Sequence, residues 1–268
     1  MRRSAQVFIL TAILVVSTMG ISYAITNGEP DGGDHPYVGL LVFDVGGRPS
    51  HRCSGALLSD RVVLTAGHCT DGTSAARVWF DEIVQGNPEY PFSGKTSYDG
   101  TPYTNPGFCI GCGNGLPGFA IRDVGIVVLK EKVPASVVSQ YATLPPAGFV
   151  DTLPNKTKVD LVGYGVQEQF HGGGPPVWSG LRIRLFAPSE LVSGEFTHSD
   201  EFMKIALNPG GGSGGTCFGD SGGPDLLAGT TRVLAVNSYV TNSNCGGDGY
   251  SSRVDIPEVL SWIRGFLR

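Results

Sequence analysis

The sequence has few of the features that mark a membrane protein or a nucleic-acid-binding protein. After one apolar run near the N-terminus, no segment has the ~20 consecutive apolar residues that a membrane-spanning helix needs. The chain has 19 Lys and Arg against 24 Asp and Glu, a net charge of −5, and its basic residues form no cluster. Because nucleic-acid binding depends on concentrated positive charge, this composition predicts no nucleic-acid partner.

The apolar run at the N-terminus has the form of a secretory signal peptide. Arg2 and Arg3 precede the run VFILTAILVVSTM, which is too short to span a membrane. Ser22 and Ala24 suit the small-residue positions of a cleavage site, so we predict removal of residues 1–24. The expected product is a secreted chain, extracellular or periplasmic, with no membrane association. A retained N-terminal anchor is the alternative.

The remaining apolar segments are short and rich in Val, Ile and aromatic residues, which is typical of strands. Examples are RVVLTAG, RVWF, VGIVVLK, KVDLVGYG and TRVLAVNSYV. The segment LRIRLF, residues 181–186, alternates, so Arg182 and Arg184 are expected on a wet face. Residues 86–119 contain many Gly, Pro and Asn and are expected to form a surface loop. Only residues 257–268 show helical spacing.

Three residues have the sequence contexts of a nucleophilic catalytic site. A serine hydroxyl is a poor nucleophile until a base removes its proton, and a buried acid must hold that base in one tautomer. Ser221 lies in GDSGGP, His68 in VVLTAGHC and Asp123 in RDVGIVVL. The glycines beside Ser221 permit a tight turn, in which the N–H groups of Gly219 and Ser221 can bind an oxyanion.

The segment GDSGG also fits the G-x-S-x-G turn of α/β-hydrolases, but the histidines exclude that class. In α/β-hydrolases the catalytic histidine follows the serine, whereas all five histidines here precede Ser221. The order His, Asp, Ser also differs from the subtilisin order. The other histidines share no metal-ligand spacing, so we predict no metal site and expect them to be structural or on the surface: His35, His51, His171 and His198.

The chain resembles the trypsin/chymotrypsin family of serine peptidases in three motifs and in the order in which they occur: TAGHC, DVGIVVL and CFGDSGGP. The resemblance extends along nearly all of the predicted mature chain, from ITNG to PEVLSWIRGFL. It implies an all-β fold of two six-stranded antiparallel β-barrels with the active site between them, followed by a C-terminal α-helix. It also implies that His68 is the general base, Asp123 its orienting acid and Ser221 the nucleophile. The implied activity is that of an endopeptidase that works through an acyl-enzyme and needs no cofactor.

The resemblance also divides the chain. We expect a monomer whose peptidase domain covers 25–268 and acts on protein or peptide substrates. Its predicted parts are an N-terminal barrel at 25–135, a linker at 136–147, a C-terminal barrel at 148–256 and the helix at 257–268.

The six cysteines are an even number in a chain expected to be exported, which indicates disulfides. Their spacing alone leaves fifteen pairings open. The resemblance implies Cys53–Cys69, which closes the histidine loop, and Cys217–Cys245, which joins the walls of the specificity pocket. The pair Cys109–Cys112 lies outside the family pattern. We expect a local disulfide there, with redox activity or half of a zinc site as the alternatives.

In the resembling family a new N-terminus, usually Ile-Val-Gly-Gly, inserts and pairs with the Asp before the nucleophile. Here Ile25 begins ITNG and its partner would be Asp220, although Thr26 and Asn27 depart from the usual pattern. The residue directly before Ile25 is Ala24 and not Lys or Arg, so we hypothesise that signal removal itself makes the enzyme competent. A cut a few residues away is the alternative.

The resemblance further implies a substrate pocket. Its base would be the residue six before the nucleophile, Gly215, which carries no charge. A strand ending in Val240 would pair with the substrate, and the branched side chain would narrow the pocket. We therefore expect cleavage after small or medium apolar residues. The implied substrate-binding residues are Gly215, Thr216, Ser238, Tyr239, Val240 and Gly249.

Two alternatives remain open for the function. A shift in the loop CGGDGYSS would place Asp248 in the pocket, which would favour cleavage after basic residues. A pseudoprotease that keeps the fold but acts only as a binding module is the other alternative.

Overall fold

The structure is a computed structural model that describes residues 28–112, 120–166, 168–170, 177–192, 201–207, 214–241 and 245–268. The predicted signal peptide and Ile25 lie outside these residues. Of the helices in the described ranges, none is both long and apolar enough to cross a membrane.

The described chain folds mainly into antiparallel strands. In chain order the first of these are β1 Glu29–Pro30, β2 Val38–Val45, β3 Arg48–Leu57, β4 Val62–Thr65, β5 Ala75–Trp79, β6 Ser97–Thr104, β7 Cys109–Ile110, β8 Ala120–Ile121 and β9 Gly125–Leu129. The later ones are β10 Lys158–Gly163, β11 Glu168–Phe170, β12 Val177–Ser179, β13 Leu185–Glu190, β14 Phe202–Leu207, β15 Pro224–Leu227, β16 Val233–Val240 and β17 Gly247–Arg253. The helices are α1 Gly67–Thr70, a 3₁₀ turn Val150–Thr152 and α2 Pro257–Gly265.

The first unit is a closed antiparallel barrel with the strand order β2-β3-β4-β9-β6-β5. Its strands are the short apolar runs of the sequence, because closing a sheet on itself buries every inward-facing side chain. The buried core of this unit includes Leu40, Phe43, Leu64, Trp79 and Ile126, each with none of its surface exposed.

The expectation that residues 86–119 form a surface loop is wrong for β6, which is an internal strand of this barrel. The sequence of β6 is SYDGTPYT, in which glycine and proline interrupt the alternation of apolar and polar residues that marks a strand. Gly100 is required there, since a Cβ atom on it would lie 2.5 Å from Val127 Cγ1. Close approach between neighbouring strands therefore selected the residue that made the segment resemble a loop.

The second unit is a curled antiparallel sheet with the order β1-β13-β10-β15-β16-β17-β14. An isolated β-bridge pairs Leu191, which directly follows β13, with Ile205 of β14. This pairing brings the two sides of the sheet together and gives it its curled form. Strands β10 and β13 to β17 are supplied by the second half of the chain. The seventh, β1, comes from the N-terminal segment and pairs Glu29 with Phe186.

The predicted all-β class with a C-terminal helix is confirmed. The last strand of the first unit is β9 and the next strand of the second unit along the chain is β10, so the predicted linker 136–147 lies between these two strands. Helix α2 buries Val259, Leu260 and Ile263 and ends at Gly265, short of the predicted 268.

The expectation that Arg184 faces water is wrong. Arg184 directly precedes β13 and is only 2% exposed. Its Nε lies 2.7 Å from Asp31 Oδ2. Its Nη1 donates to the carbonyl oxygens of Val38 and Phe80 at 3.1 Å. A buried guanidinium needs a counter-charge and acceptors, which the first barrel and the N-terminal segment supply. Arg184 therefore ties the second sheet to the first barrel.

Candidate active site

Two of the predicted triad residues lie together because their strands are neighbours. Strands β4 and β9 are antiparallel and pair Thr65 with Gly125. The chain leaves β4 into α1, which carries His68, and it enters β9 just after Asp123. Since the exit of one strand lies beside the entry of its antiparallel neighbour, both side chains are placed at the same edge of the barrel.

Asp123 is fully buried and holds the imidazole of His68 at two points. Its Oδ1 accepts the backbone N–H of His68 at 2.6 Å, and Oδ2 lies 2.7 Å from Nδ1 of the ring. Ser238 Oγ donates to the same Oδ2 at 2.5 Å. Ser238 was predicted to contact substrate, but its hydroxyl is used by the carboxylate. These three hydrogen bonds satisfy the buried charge and fix the orientation of the ring.

Asp123 also changes the protonation of His68. Burial by itself would lower the pKa of the imidazole, since it disfavours the charged form. The hydrogen bond and the negative charge of Asp123 outweigh burial and leave the pKa of His68 above 6.5. A proton on Nδ1 that is donated to Asp123 leaves Nε2 as the basic nitrogen.

Ser221 lies in a turn that precedes β15, on the opposite side of the cleft from the barrel edge. Its carbonyl oxygen accepts the backbone N–H of Ser54 at 2.8 Å and lies 3.8 Å from Cys69 Sγ, next to His68. Within the described chain, no hydrogen bond joins His68 to Ser221 Oγ. Hydrogen bonds between catalytic groups are often long until substrate binds, so the lack of a hydrogen bond between His68 and Ser221 Oγ is compatible with a triad.

The turn requires glycine at two positions. Gly219 and Gly222 have φ of 98° and 77°, which side chains rarely adopt. A Cβ atom on Gly222 would also lie 2.1 Å from Thr65 Oγ1, so only glycine lets the turn pack on β4.

Two carbonyl groups of this turn accept hydrogen bonds that restrict the direction of the N–H groups that follow them. The carbonyl of Phe218 accepts from Val166 N–H, and that of Asp220 accepts from Gly223 N–H, both at 2.8 Å. Because C=O and N–H of a trans peptide point in opposite directions, the next N–H groups point away from these partners. They belong to Gly219 and Ser221, and neither donates a hydrogen bond to another described residue. They are the pair predicted to bind an oxyanion.

Ser54 is a positioning residue that sequence reasoning missed. Its side-chain oxygen donates to Gly219 O at 3.0 Å and accepts from Tyr164 N–H at 2.9 Å, while its backbone N–H binds Ser221 O. It therefore holds the nucleophile turn of the second unit against β3 of the first. The only sign in the sequence is a small polar residue within the run HRCSGALL.

Asp220 is fully buried beside the same turn. Its carboxylate accepts N–H groups of Gly165 and Cys217 at 2.8 and 2.9 Å. Burial raises the pKa of Asp220 to about 7, although these N–H groups and the charge of Arg52 oppose the shift. Ile25, its predicted partner, lies outside the described residues, so the ion pair stays a prediction.

A cavity of about 150 Å³ opens beside Ser221. It is lined by Thr216, Cys217, Phe218, Ser221, Asn237, Ser238, Tyr239 and Val240, which include four of the predicted substrate-binding residues. Gly215 and Gly249 are not among the described lining residues. They pack on Leu207, whose atoms lie 3.0–3.2 Å from a Cβ at either position. Their assignment as pocket base and wall stays a prediction.

Asp248, the acid that would favour basic substrates, points elsewhere. Its Oδ2 lies 2.8 Å from Lys204 Nζ, and it does not line the described cavity. Successive residues of a strand face opposite sides, so Asp248 lies on the face of β17 opposite Gly249.

The structure contains the disulfides Cys53–Cys69, Cys109–Cys112 and Cys217–Cys245. The first closes the loop that carries His68. Its sulfurs and the ring of His68 lie within 4.8 Å of one another, but the sulfurs are bonded to each other and offer no thiolate to a metal. Cys109–Cys112 lies at the surface in the pair of short strands that precedes Asp123.

Residues 25–263 match the family model described as Trypsin. The chain belongs to the trypsin family. Human chymotrypsin-like elastase family member 3B is 28% identical over 217 residues, 78% of this chain and 76% of the relative. Proproteinase E of Bos taurus is 26% identical over 85% of each chain. The solved structure of HL collagenase has a TM-score of 0.68 at 18% identity and covers 91% of this trypsin-family chain and 96% of that chain. The latter likeness shows the chymotrypsin-like fold.

This trypsin-family chain also buries an acid that the triad does not use. Asp225 follows the nucleophile turn in β15 and has no exposed surface. Neither of its carboxylate oxygens reaches a hydrogen-bond partner among the described residues. Burial raises the pKa of Asp225 to about 7, and the nearby hydroxyl of Ser251 only partly opposes this.

We expect Asp225→Asn to stabilise the protein at high pH. Ionisation of Asp225 costs nothing below the unfolded pKa near 4. The loss in free energy of unfolding grows as pH rises toward 7 and reaches its full size above pH 7. For a pKa shift of this size, the full loss is at most about 4 kcal/mol. The measurement is the free energy of unfolding of both proteins from pH 4 to 9. The stability difference should rise with pH, and parallel pH profiles would contradict the assignment.

Proposed function

We propose that this chain is a secreted serine endopeptidase with Ser221 as nucleophile, His68 as general base and Asp123 as the orienting acid. The observation that carries the proposal is the 2.7 Å contact between His68 Nδ1 and Asp123 Oδ2, because it leaves Nε2 as the basic nitrogen. Family membership supports serine peptidase chemistry, and the predicted signal peptide and three disulfides support export.

In the first half of the proposed reaction, Ser221 Oγ attacks the carbonyl carbon of the scissile bond and its proton passes to His68 Nε2. The carbonyl oxygen becomes an oxyanion, which the N–H groups of Gly219 and Ser221 stabilise. Asp123 stays ionised and stabilises the imidazolium. The oxyanion then collapses and the bond to the leaving nitrogen breaks while that nitrogen takes the proton from Nε2, so the acyl group remains on Ser221.

In the second half, water replaces the leaving group. His68 Nε2 removes a proton from the water, whose oxygen attacks the acyl carbon. The oxyanion forms again at the same two N–H groups. Its collapse breaks the bond to Ser221 Oγ, which takes the proton back from Nε2. The products are a carboxylic acid and the regenerated enzyme.

The cavity beside Ser221 supports a preference for small or medium apolar residues before the scissile bond. Its volume of about 150 Å³ limits the size of the side chain that it can hold. Val240 contributes an apolar wall. The one acid proposed as an alternative determinant, Asp248, is paired with Lys204. A curated relative named as an elastase is consistent with this preference.

We expect Ser221→Ala to abolish peptide cleavage. Loss of a serine nucleophile lowers kcat by about 10⁶ in a comparable triad. The measurement is cleavage of a peptide library by the mature protein and by the variant, with folding checked by circular dichroism. If the folded wild type cleaves nothing and matches Ser221→Ala, the chain is a binding module.

We expect faster cleavage after Ala or Val than after Arg in otherwise identical peptides. Val240→Gly should enlarge the cavity and improve kcat/KM for Phe by roughly tenfold, since a single methylene in an apolar pocket is worth ~1–3 kcal/mol. Val240→Thr keeps the branched shape and serves as the control. Faster turnover of the Arg peptide by the wild type would overturn the proposed specificity.

We expect the acid side of the pH–rate profile to depend on Asp123. The raised pKa of His68 keeps it protonated, and inactive as a base, to higher pH than a free imidazole. Asp123→Asn removes the charge that raises this pKa, so the ring should lose its proton at lower pH. Histidine NMR titrations of Ser221→Ala with and without Asp123→Asn measure this shift. An unchanged titration would contradict the role of Asp123.

A further inference from the structure

Arg52 lies beside the nucleophile turn, on the side formed by the first barrel. It is two residues before Ser54 in β3, so both side chains are on the same face of the strand. Its Nε lies 3.4 Å from the position of a Cβ on Gly219. Its charge is close enough to oppose the upward pKa shift of Asp220. A permanent cation therefore lies next to the predicted oxyanion hole.

This cation forms no ion pair within the described chain. Arg77, Arg184 and Arg253 each form an ion pair with a carboxylate at 2.6–2.9 Å. Arg52 is half-buried, yet among the described residues it forms neither an ion pair nor a side-chain hydrogen bond. A partly desolvated guanidinium is a strong binding group for a carboxylate, which it can hold with two parallel hydrogen bonds.

Arg52 also lines a surface groove of about 350 Å³. Its described lining contains no carboxylate and consists of Val42, Pro49, Ser50, His51, Arg52, Tyr90 and Pro91. His51 Nε2 lies 2.9 Å from the carbonyl oxygen of Cys69, the residue that follows His68. The groove thus lies along β3 of the first barrel and is connected to the nucleophile turn through Arg52.

The position of the groove decides which part of a substrate it would meet. The cavity of the second sheet, beside Ser238 and Val240, takes the acyl side of the scissile bond in the proposed reaction. The leaving group must then extend the other way, past the Cys53–Cys69 disulfide and β3. We infer that Arg52 binds a carboxylate on the leaving-group side, that of a Glu or Asp in the first two positions after the cleaved bond. This inference rests on the proposed function.

The rival role for Arg52 is to stabilise the turn through the charge of Asp220. In that case its loss would slow every substrate by the same factor. In the proposed role its loss slows mainly those substrates that carry a carboxylate after the bond. The two roles can be distinguished with substrates that differ only in the residues after the cleaved bond.

The test compares peptides with one acyl side and with Glu, Gln or Lys in the first or second position after the bond. An anilide of the same acyl side has no residue there and reports basal activity. Wild-type kcat/KM for Glu should exceed that for Gln by about fivefold, the upper range for a partly exposed ion pair. The ratio should fall at high salt, which screens such pairs.

Arg52→Gln should bring the Glu/Gln ratio to about one, and Arg52→Glu should make Lys the preferred residue. Arg48→Gln is the matched control, because it removes an exposed charge from the same strand and should keep the wild-type ratio. Equal loss of the anilide and Glu rates in Arg52→Gln, or a wild-type ratio of one, would overturn the inference. A wild type inactive on the anilide as well would overturn the proposed function itself.

Discussion

The buried carboxylate of Asp123 is the constraint on which the rest of the site depends. A charge without exposure to water must have hydrogen-bond donors around it, and the donors here come from both β units. His68 donates from the first barrel and Ser238 from the second sheet. The same bonds that satisfy the charge therefore fix the imidazole and hold the two units together at the cleft.

A site divided between two units needs a second attachment at the nucleophile. Ser54 supplies it, since it binds the carbonyl oxygens of Gly219 and Ser221 from β3. Arg184 adds a third attachment, because its guanidinium donates to the carbonyl oxygens of Val38 and Phe80. These are buried polar contacts, whose geometry is more restrictive than that of apolar packing.

Local patterns in the sequence predicted the features that depend on local chemistry. The apolar runs gave β4, β9 and β16, and the glycines of GDSGGP indicated the turn at Ser221. Features that depend on distant partners escaped prediction. Ser54 and Gly219 are 165 residues apart, Arg184 and Asp31 are 153 apart, and β6 contains glycine because Val127 approaches it. Each is decided by tertiary contacts that no short segment contains.

Covalent labelling of the mature protein with a serine-directed phosphonate tests the central claim most directly. The account predicts one adduct per chain, located on Ser221 by peptide mass spectrometry. Labelling should speed up as pH rises and His68 loses its proton, and His68→Ala should slow it strongly. A folded protein that takes up no phosphonate, or takes it up at another residue, would contradict the account.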